Sequence, residues 1–202
     1  MSFSRRSFIG TAIAGLASAA LQPVLSRAQG THSPIAPSVF RGALDALERH
    51  RDRIDHRDVI GIADFSLPSS AARFHLLKIE DGTVRSHLVA HGRGSDPAHT
   101  GWLERFSNEP HSLATSAGAY RTNDAYSGAH GESIRLDGLD ISNSNAASRA
   151  IVVHGAWYVS AEIATDRGVL GRSEGCFAMA QSSLGEILTT LGPGRLIYAD
   201  KA

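Results

Sequence analysis

The chain has 202 residues, with 20 glycines, 7 prolines, a single cysteine, and 20 basic against 20 acidic side chains. That length fits one domain with a short appendage, and 42% hydrophobic with 20% charged residues excludes an intrinsically disordered chain. One cysteine excludes an internal disulfide framework and a Cys-rich zinc ribbon, and zero formal net charge argues against nucleic acid as a partner.

The chain opens with Ser4-Arg5-Arg6-Ser7-Phe8-Ile9, followed by an apolar, Gly- and Ala-rich stretch to about Leu25 and then Ser26-Arg27-Ala28. A charged start, an apolar middle and small residues at the cleavage position describe a signal peptide over residues 1–28. Its paired arginines resemble the twin-arginine export signal, which implies export of a folded domain to the periplasm or cell envelope. Gly10, Thr11, Gly15 and Ser18 interrupt the apolar run, making it a poor permanent membrane span. An uncleaved N-terminal anchor is the rival reading. Without Arg5, Arg6 and Arg27 the 20 basic residues fall to 17 against 20 acidic, so the exported domain is mildly acidic.

Residues 29–37 hold Gly30, Pro34 and Pro37 and read as a linker; 38–202 form the domain. Ser38 to about Ile54 has helical periodicity, with Ala43, Leu44 and Leu47 on one face and Ser38 as cap. Val59 to Phe65 reads as a buried strand. Arg73–Glu80 and Thr83–Ala90 flank Asp81-Gly82, a hairpin signal whose two turn residues are expected at positive φ. His75 and His87 are expected to pair across that hairpin or to face solvent. Residues 91–112 form a long irregular loop, of the kind that often carries function. Short strands follow at 118–121, 133–136 and 150–154. Ser183-Leu184-Gly185-Glu186 fits a capping box opening a helix with Leu184, Ile187, Leu188 and Leu191 inward. Gly192-Pro193-Gly194 ends it, and 195–199 is a closing strand. The body is therefore mainly β with two or three helices.

The chemistry concentrates in Ile151-Val152-Val153-His154-Gly155 and Gly171-Arg172-Ser173-Glu174-Gly175-Cys176-Phe177. An apolar strand delivers a histidine beside a glycine, and a polar, Gly-flanked turn carries the only cysteine. A free thiol near pKa ~8.5 is only a few per cent thiolate at neutral pH, so a nearby imidazole that accepts its proton is the expected activator. Glycine beside a nucleophile lets backbone N–H groups point at a developing oxyanion.

His-Gly after an apolar strand, followed by Ser-x-Gly-Cys, resembles the signature of the murein L,D-transpeptidase catalytic domain family. Thr115 to Tyr120 resembles that family's T-P-x-G-x-aromatic strand. The likeness runs over about residues 58–200 and is greatest to a divergent branch with VVHGA-x-YVS and GRSxGC. It implies an L,D-transpeptidase-like β-sandwich or open barrel with a few short helices. It implies Cys176 as nucleophile and His154 as its base, with Ser173 supporting the turn and the N–H groups of Cys176 and Gly175 as oxyanion donors. The reaction implied is acyl transfer on peptidoglycan stem peptides through a thioester, or L,D-carboxypeptidase hydrolysis if water resolves it, with no cofactor and no metal. Where the commoner family form has His before the Gly-Cys and Arg two residues after the Cys, this chain has Glu174 and Ala178. Arg172 is the expected substitute for binding a substrate carboxylate. Gly155, Tyr120 and His91 complete the expected substrate-binding set. Asn108 and Pro110 also match the branch, without an assignable role. Three rivals remain. They are a zinc hydrolase using His91, His99, His111 and His130, a papain-like peptidase disfavoured by its Cys-before-His order, and a non-catalytic wall-binding module.

Overall fold

The computed structural model describes residues 33–202, so the expected signal peptide and the first four residues of the linker lie outside the described residues. Helix α1 covers Pro37–Arg49 and buries Val39, Phe40, Ala43, Leu44, Ala46 and Leu47. Its cap is Ala36 with no side-chain bond, and Pro37, whose missing N–H costs nothing in the first turn, precedes the expected cap Ser38. The helix also stops five residues short of Ile54. His50 leaves helical geometry with its ring held 2.8 Å from Asp140 Oδ1, and Ile54 reaches the same apolar cluster through a turn.

Eight strands follow: β1 Val59–Asp64, β2 Ala72–Lys78, β3 Val84–Ala90, β4 Gly118–Gly128, β5 Gly131–Gly138, β6 Val152–Ala156, β7 Phe177–Ala180 and β8 Leu196–Asp200. They hydrogen-bond in the order β1-β2-β3-β7-β6-β5-β4-β8 and close into a barrel. The fold is thus mainly β with short helices, as expected, and its single sheet joins edge to edge. Two neighbouring pairs, β6–β7 and β1–β8, are parallel. A parallel pair needs a crossover, and α2, Ala161–Arg167, lies within the one between β6 and β7. Ser160 caps α2 through Ile163 N–H at 3.2 Å and Gly168 ends it at φ 69°, but it buries no residue, so no apolar stripe betrays it in the sequence.

Alternation sorts the side chains. Phe74, Tyr120, Ile134, Val153, Phe177, Met179 and Ile197 fill the barrel, together with Leu184, Ile187 and Leu191 of α3, Gln181–Leu191. α1 covers Ile60, Ile62, Leu77, Leu196 and Tyr198 on the outer face. Helix α3 starts at Gln181, not Ser183. Ser183 lies inside it and donates back to Ala180 O at 3.2 Å, so there is no capping box.

The Asp81-Gly82 hairpin forms, but only Gly82 takes positive φ (71°). Asp81 instead accepts Thr83 N–H at 2.8 Å through its side chain, and the connection widens to residues 79–83. His75 is fully buried opposite Ser86, with Nδ1 and Oγ 2.8 Å apart, while His87 lies opposite Phe74; they are not a cross-strand pair. Strands β4 and β5 are longer than the segments expected at 118–121 and 133–136. Their shared hairpin beyond Thr122 is polar and largely exposed, with a bulge between Thr122 and Ala125, which hides its periodicity.

Candidate active site

The parallel register aligns Val153 with Phe177 and His154 with Ala178. Val153 and Phe177 point into the barrel core. Because successive side chains alternate, His154 and Cys176 both stand on the outer face, Cys176 level with Val152. The diagonal between such positions is roughly 7 Å, within reach of side chains on one face.

Cys176 is half-buried. Its Sγ contacts Ala150 O at 3.5 Å, and no hydrogen bond joins it to His154. Burial pushes the thiol above the ordinary cysteine range. The Val152 N–H and the Arg149 charge act against that rise, and the Glu174 charge adds to it. The thiol is thus stored protonated beside the start of β6, where Ala150 takes an uncommon positive φ of 52°.

His154 is buried, and its Nδ1 lies 2.9 Å from the Gly155 carbonyl. A carbonyl only accepts, so Nδ1 carries the proton and Nε2 presents a lone pair. Burial, the largest influence, holds this imidazole below its ordinary pKa; the Gly155 bond opposes that and His130 adds to it. The His130 ring stacks on His154 at 4.5 Å between centroids. The arrangement presents a neutral base on the same sheet face as a protonated thiol.

Ser173 braces the cysteine turn. Its Oγ donates to Cys176 O at 2.7 Å and accepts the Gly175 N–H at 3.2 Å. That bond commits the Gly175 N–H, correcting its expected place as an oxyanion donor. Gly175 instead serves by shape: φ is 120°, and a Cβ there would lie 2.8 Å from Ala114 O.

Three expected substrate contacts are structural. Tyr120 is fully buried, its hydroxyl donating to Ser116 O at 2.7 Å and its ring edge-on to Phe177 at 5.4 Å. His91 is buried behind the turn. It accepts from Arg73 Nη2 at 2.7 Å and receives the Ser173 N–H on its carbonyl. Burial, with the Arg73 charge, lowers its pKa to about 4. Gly155 faces inward, where a Cβ would strike Gln181 and Leu184, and its contribution is the carbonyl that orients His154. Arg172 lines a cleft with Trp157 and Tyr158, but its Nη1 donates to the backbone carbonyls of Asp96 and Pro97. His99 bonds Leu170 O at 2.8 Å, and among the described residues no three His, Cys, Asp or Glu side chains converge as metal ligands.

Two residues gain roles here that the sequence did not announce. Arg149 donates to Ser107 O (2.8 Å), Ser116 Oγ (2.7 Å), Ser112 Oγ (3.2 Å) and Ala114 O, lashing the loop before β4 to the segment that leads into β6. Asn108 donates to Ile141 O at 3.0 Å and accepts the Asn145 N–H at 3.1 Å, tying the same loop to the approach of β6. No local pattern marks Arg149, and the motif around Asn108 does not reveal its role, because the partners of both are distant in sequence.

The family model of the L,D-transpeptidase catalytic domain matches residues 31–199. Among solved structures, an L,D-transpeptidase from Mycobacterium tuberculosis H37Rv is 15% identical, with a TM-score of 0.44 over 71% of this chain and 57% of that one. One from Mycobacterium smegmatis is 14% identical, with a TM-score of 0.43 over 71% of this chain and 58% of that one. The helical cell shape determining protein Pgp2 from Campylobacter jejuni is 13% identical, with a TM-score of 0.47 over 83% of this chain and 57% of that one. The chain therefore spans less than three-fifths of the length of these solved chains. No curated protein matches the sequence.

Proposed function

The chain belongs to the L,D-transpeptidase catalytic domain family, and from that membership we propose that it is an exported cysteine acyltransferase acting on peptidoglycan stem peptides. The observation that carries this reading is the outer-face pair: a Cys176 thiol and a neutral His154 whose free nitrogen is fixed by the Gly155 carbonyl.

The raised thiol pKa argues against a resting thiolate–imidazolium pair. Cys176 rotates from Ala150 O toward His154, and Nε2 takes its proton as Sγ attacks. The carbon attacked is the carbonyl between the L-centre of a diamino acid and the following D-residue. The Cys176 N–H is the remaining donor in the turn for the oxyanion. The C–N bond then breaks, the leaving amine takes the proton from His154, and a thioester stays on Cys176. An amine of a second stem, deprotonated by His154, attacks the thioester, forms the cross-link and returns the thiol. Water in its place gives L,D-carboxypeptidase activity. Ser173 holds the turn and Arg149 holds the loop before β4; neither touches the reacting atoms. Arg5 and Arg6 direct export, and a domain on 38–202 does the chemistry.

The test is intact-protein mass spectrometry after incubation with a carbapenem or a tetrapeptide stem. One covalent adduct is expected, absent in Cys176→Ala and slowed at least a hundredfold in His154→Gln. An adduct that survives in Cys176→Ala, or none in the unmodified chain, overturns the reading. Cross-linking retained by Cys176→Ala would favour the wall-binding module instead.

A further inference from the structure

The tip of the β4–β5 hairpin reaches His154. Gly128 pairs with Gly131, so Ala129 and His130 form a two-residue turn, and Gly131 takes a φ of 75°. Two residues further along β5, Ser133 pairs with His154, and its Oγ donates to Gly131 O at 3.1 Å. His130 is itself exposed, yet its ring lies on the buried ring of His154, 4.5 Å away between centroids at an interplanar angle of 27°. His130 makes no hydrogen bond or ion pair among the described residues, so the stack is its contribution there.

One hydrogen bond fixes a point and not a plane. The His154 Nδ1 bonds the Gly155 carbonyl, and about that bond alone the ring could tilt. Its cross-strand neighbours, Ser133 on β5 and Ala178 on β7, are too small to wall a ring face by themselves. His130 supplies that wall. The charged and titratable groups on this side of the sheet are Tyr126 on β4, Arg135 and Asp137 on β5, and Arg149, Glu174 and Cys176 around the cysteine turn. Glu132, next to Ser133, alternates to the opposite face. The Arg135 guanidinium rests 3.8 Å over the Tyr126 ring, and Arg149 and Glu174 act on Cys176. Burial is the largest influence on the His154 imidazole and the Gly155 bond opposes it. His130 is the one charge among the described residues that bears on it, in the lowering direction.

We propose that His130 is a positioning residue for acyl transfer: its ring walls one face of the His154 imidazole and holds it in a single plane with Nε2 free, and its charge sets how readily that nitrogen takes the Cys176 proton. The inference rests on the acyltransferase reading and adds a residue to it. His130 acts through His154 and does not touch the reacting atoms. While His130 is neutral, His154 can accept the thiol proton, and the imidazolium so formed keeps a ring against its face. Once His130 is protonated, a proton on His154 would set two like charges against each other across the stack, which disfavours it. The stacked pair therefore holds one proton more readily than two, and the rings titrate as a unit.

The test uses the full-length chain with its His130→Phe and His130→Ala variants, and a carbapenem as the acylating agent. Phenylalanine keeps a flat ring without the charge, and alanine removes both. At about pH 7.5, His130→Ala should cut the saturating acylation rate roughly tenfold and leave the half-saturating concentration unchanged. His130→Phe should recover most of that rate. Proton NMR titration, with the His154 signal assigned by its loss in His154→Gln, should show the His154 midpoint raised by on the order of one pH unit in His130→Phe. Thermal unfolding should be unchanged in both variants, because the substituted side chain is exposed at a turn. Acylation of His130→Ala at the parent rate, a His130→Phe variant as slow as His130→Ala, or an unmoved His154 midpoint overturns the proposal. Failure of the unmodified chain to be acylated would instead overturn the acyltransferase reading, because the NMR comparison needs no chemistry.

Discussion

Cys176 works against its surroundings. Burial raises its thiol, and the nearest compensating charge, Arg149, reaches it across the turn. Alkylation by iodoacetamide followed against pH should therefore show a midpoint above the ordinary value of about 8.5. Arg149→Gln should move the midpoint further up and Glu174→Gln down; a midpoint below the ordinary value would refute this account. Arg149→Gln should also destabilise the domain, by on the order of 2 kcal/mol, because the acceptors at buried Ala114 and half-buried Ser107 lose a charged donor. Thermal unfolding measures that loss. At this scale the sequence was partly legible. Cys176 and His154 stand in short motifs whose residue types carry the chemistry. Arg149 was not legible, since it acts on carbonyls contributed by 107 and 114. Tyr120 and His91 looked like wall residues because position along a strand does not reveal which side of the sheet is core.

The turn from Gly171 to Cys176 depends on backbone shape as much as on side chains. Gly92 bridges Ser173, and its N–H bonds Thr115 Oγ1 at 2.9 Å, so the loop after β3, the loop before β4 and the cysteine turn form one unit. Gly175→Ala places a Cβ against Ala114 O at a φ of 120°. Such strain costs about 1–3 kcal/mol. The displaced nucleophile should lose roughly a hundredfold in acylation rate. Stopped-flow acylation with unchanged far-UV circular dichroism would establish that; a rate within twofold of the parent would refute it. Elements with a buried face, such as β1, α1 and α3, were readable from their apolar spacing. The outer half of the β4–β5 hairpin and α2 were not, because both are solvated on nearly all sides and carry no stripe. Asp81-Gly82 announced a hairpin, yet the side-chain bond of Asp81 to Thr83 set a longer turn than the dipeptide suggested.

The whole domain carries a pH liability in its interior. His75 and His91 are buried and lowered to about 4, in each case chiefly by burial. In the unfolded chain each titrates near 6.5. The unfolded state therefore binds more protons between about pH 6.5 and 4, and stability falls as pH drops through that window. Linkage puts the loss on the order of 3 kcal/mol for each histidine. Urea midpoints measured at pH 7 and pH 4.5 should differ clearly, and His75→Gln should flatten part of the difference. A pH-independent midpoint would contradict neutral burial of both rings. Mainly β character was legible because short β-branched runs and turn signals recur along the chain. Ring closure was not, because it depends on which strands meet, and β1 meets β8 from the far end of the described chain. That pairing has a kinetic consequence. The seam Ile60–Asp64 with Leu196–Asp200 cannot form until nearly the whole domain has been organised around it, and contacts so distant in sequence slow folding. Until the seam zips, β1 and β8 each present an unpaired edge able to recruit another chain. The interval before closure, rather than the finished barrel, is when this domain is most exposed to aggregation.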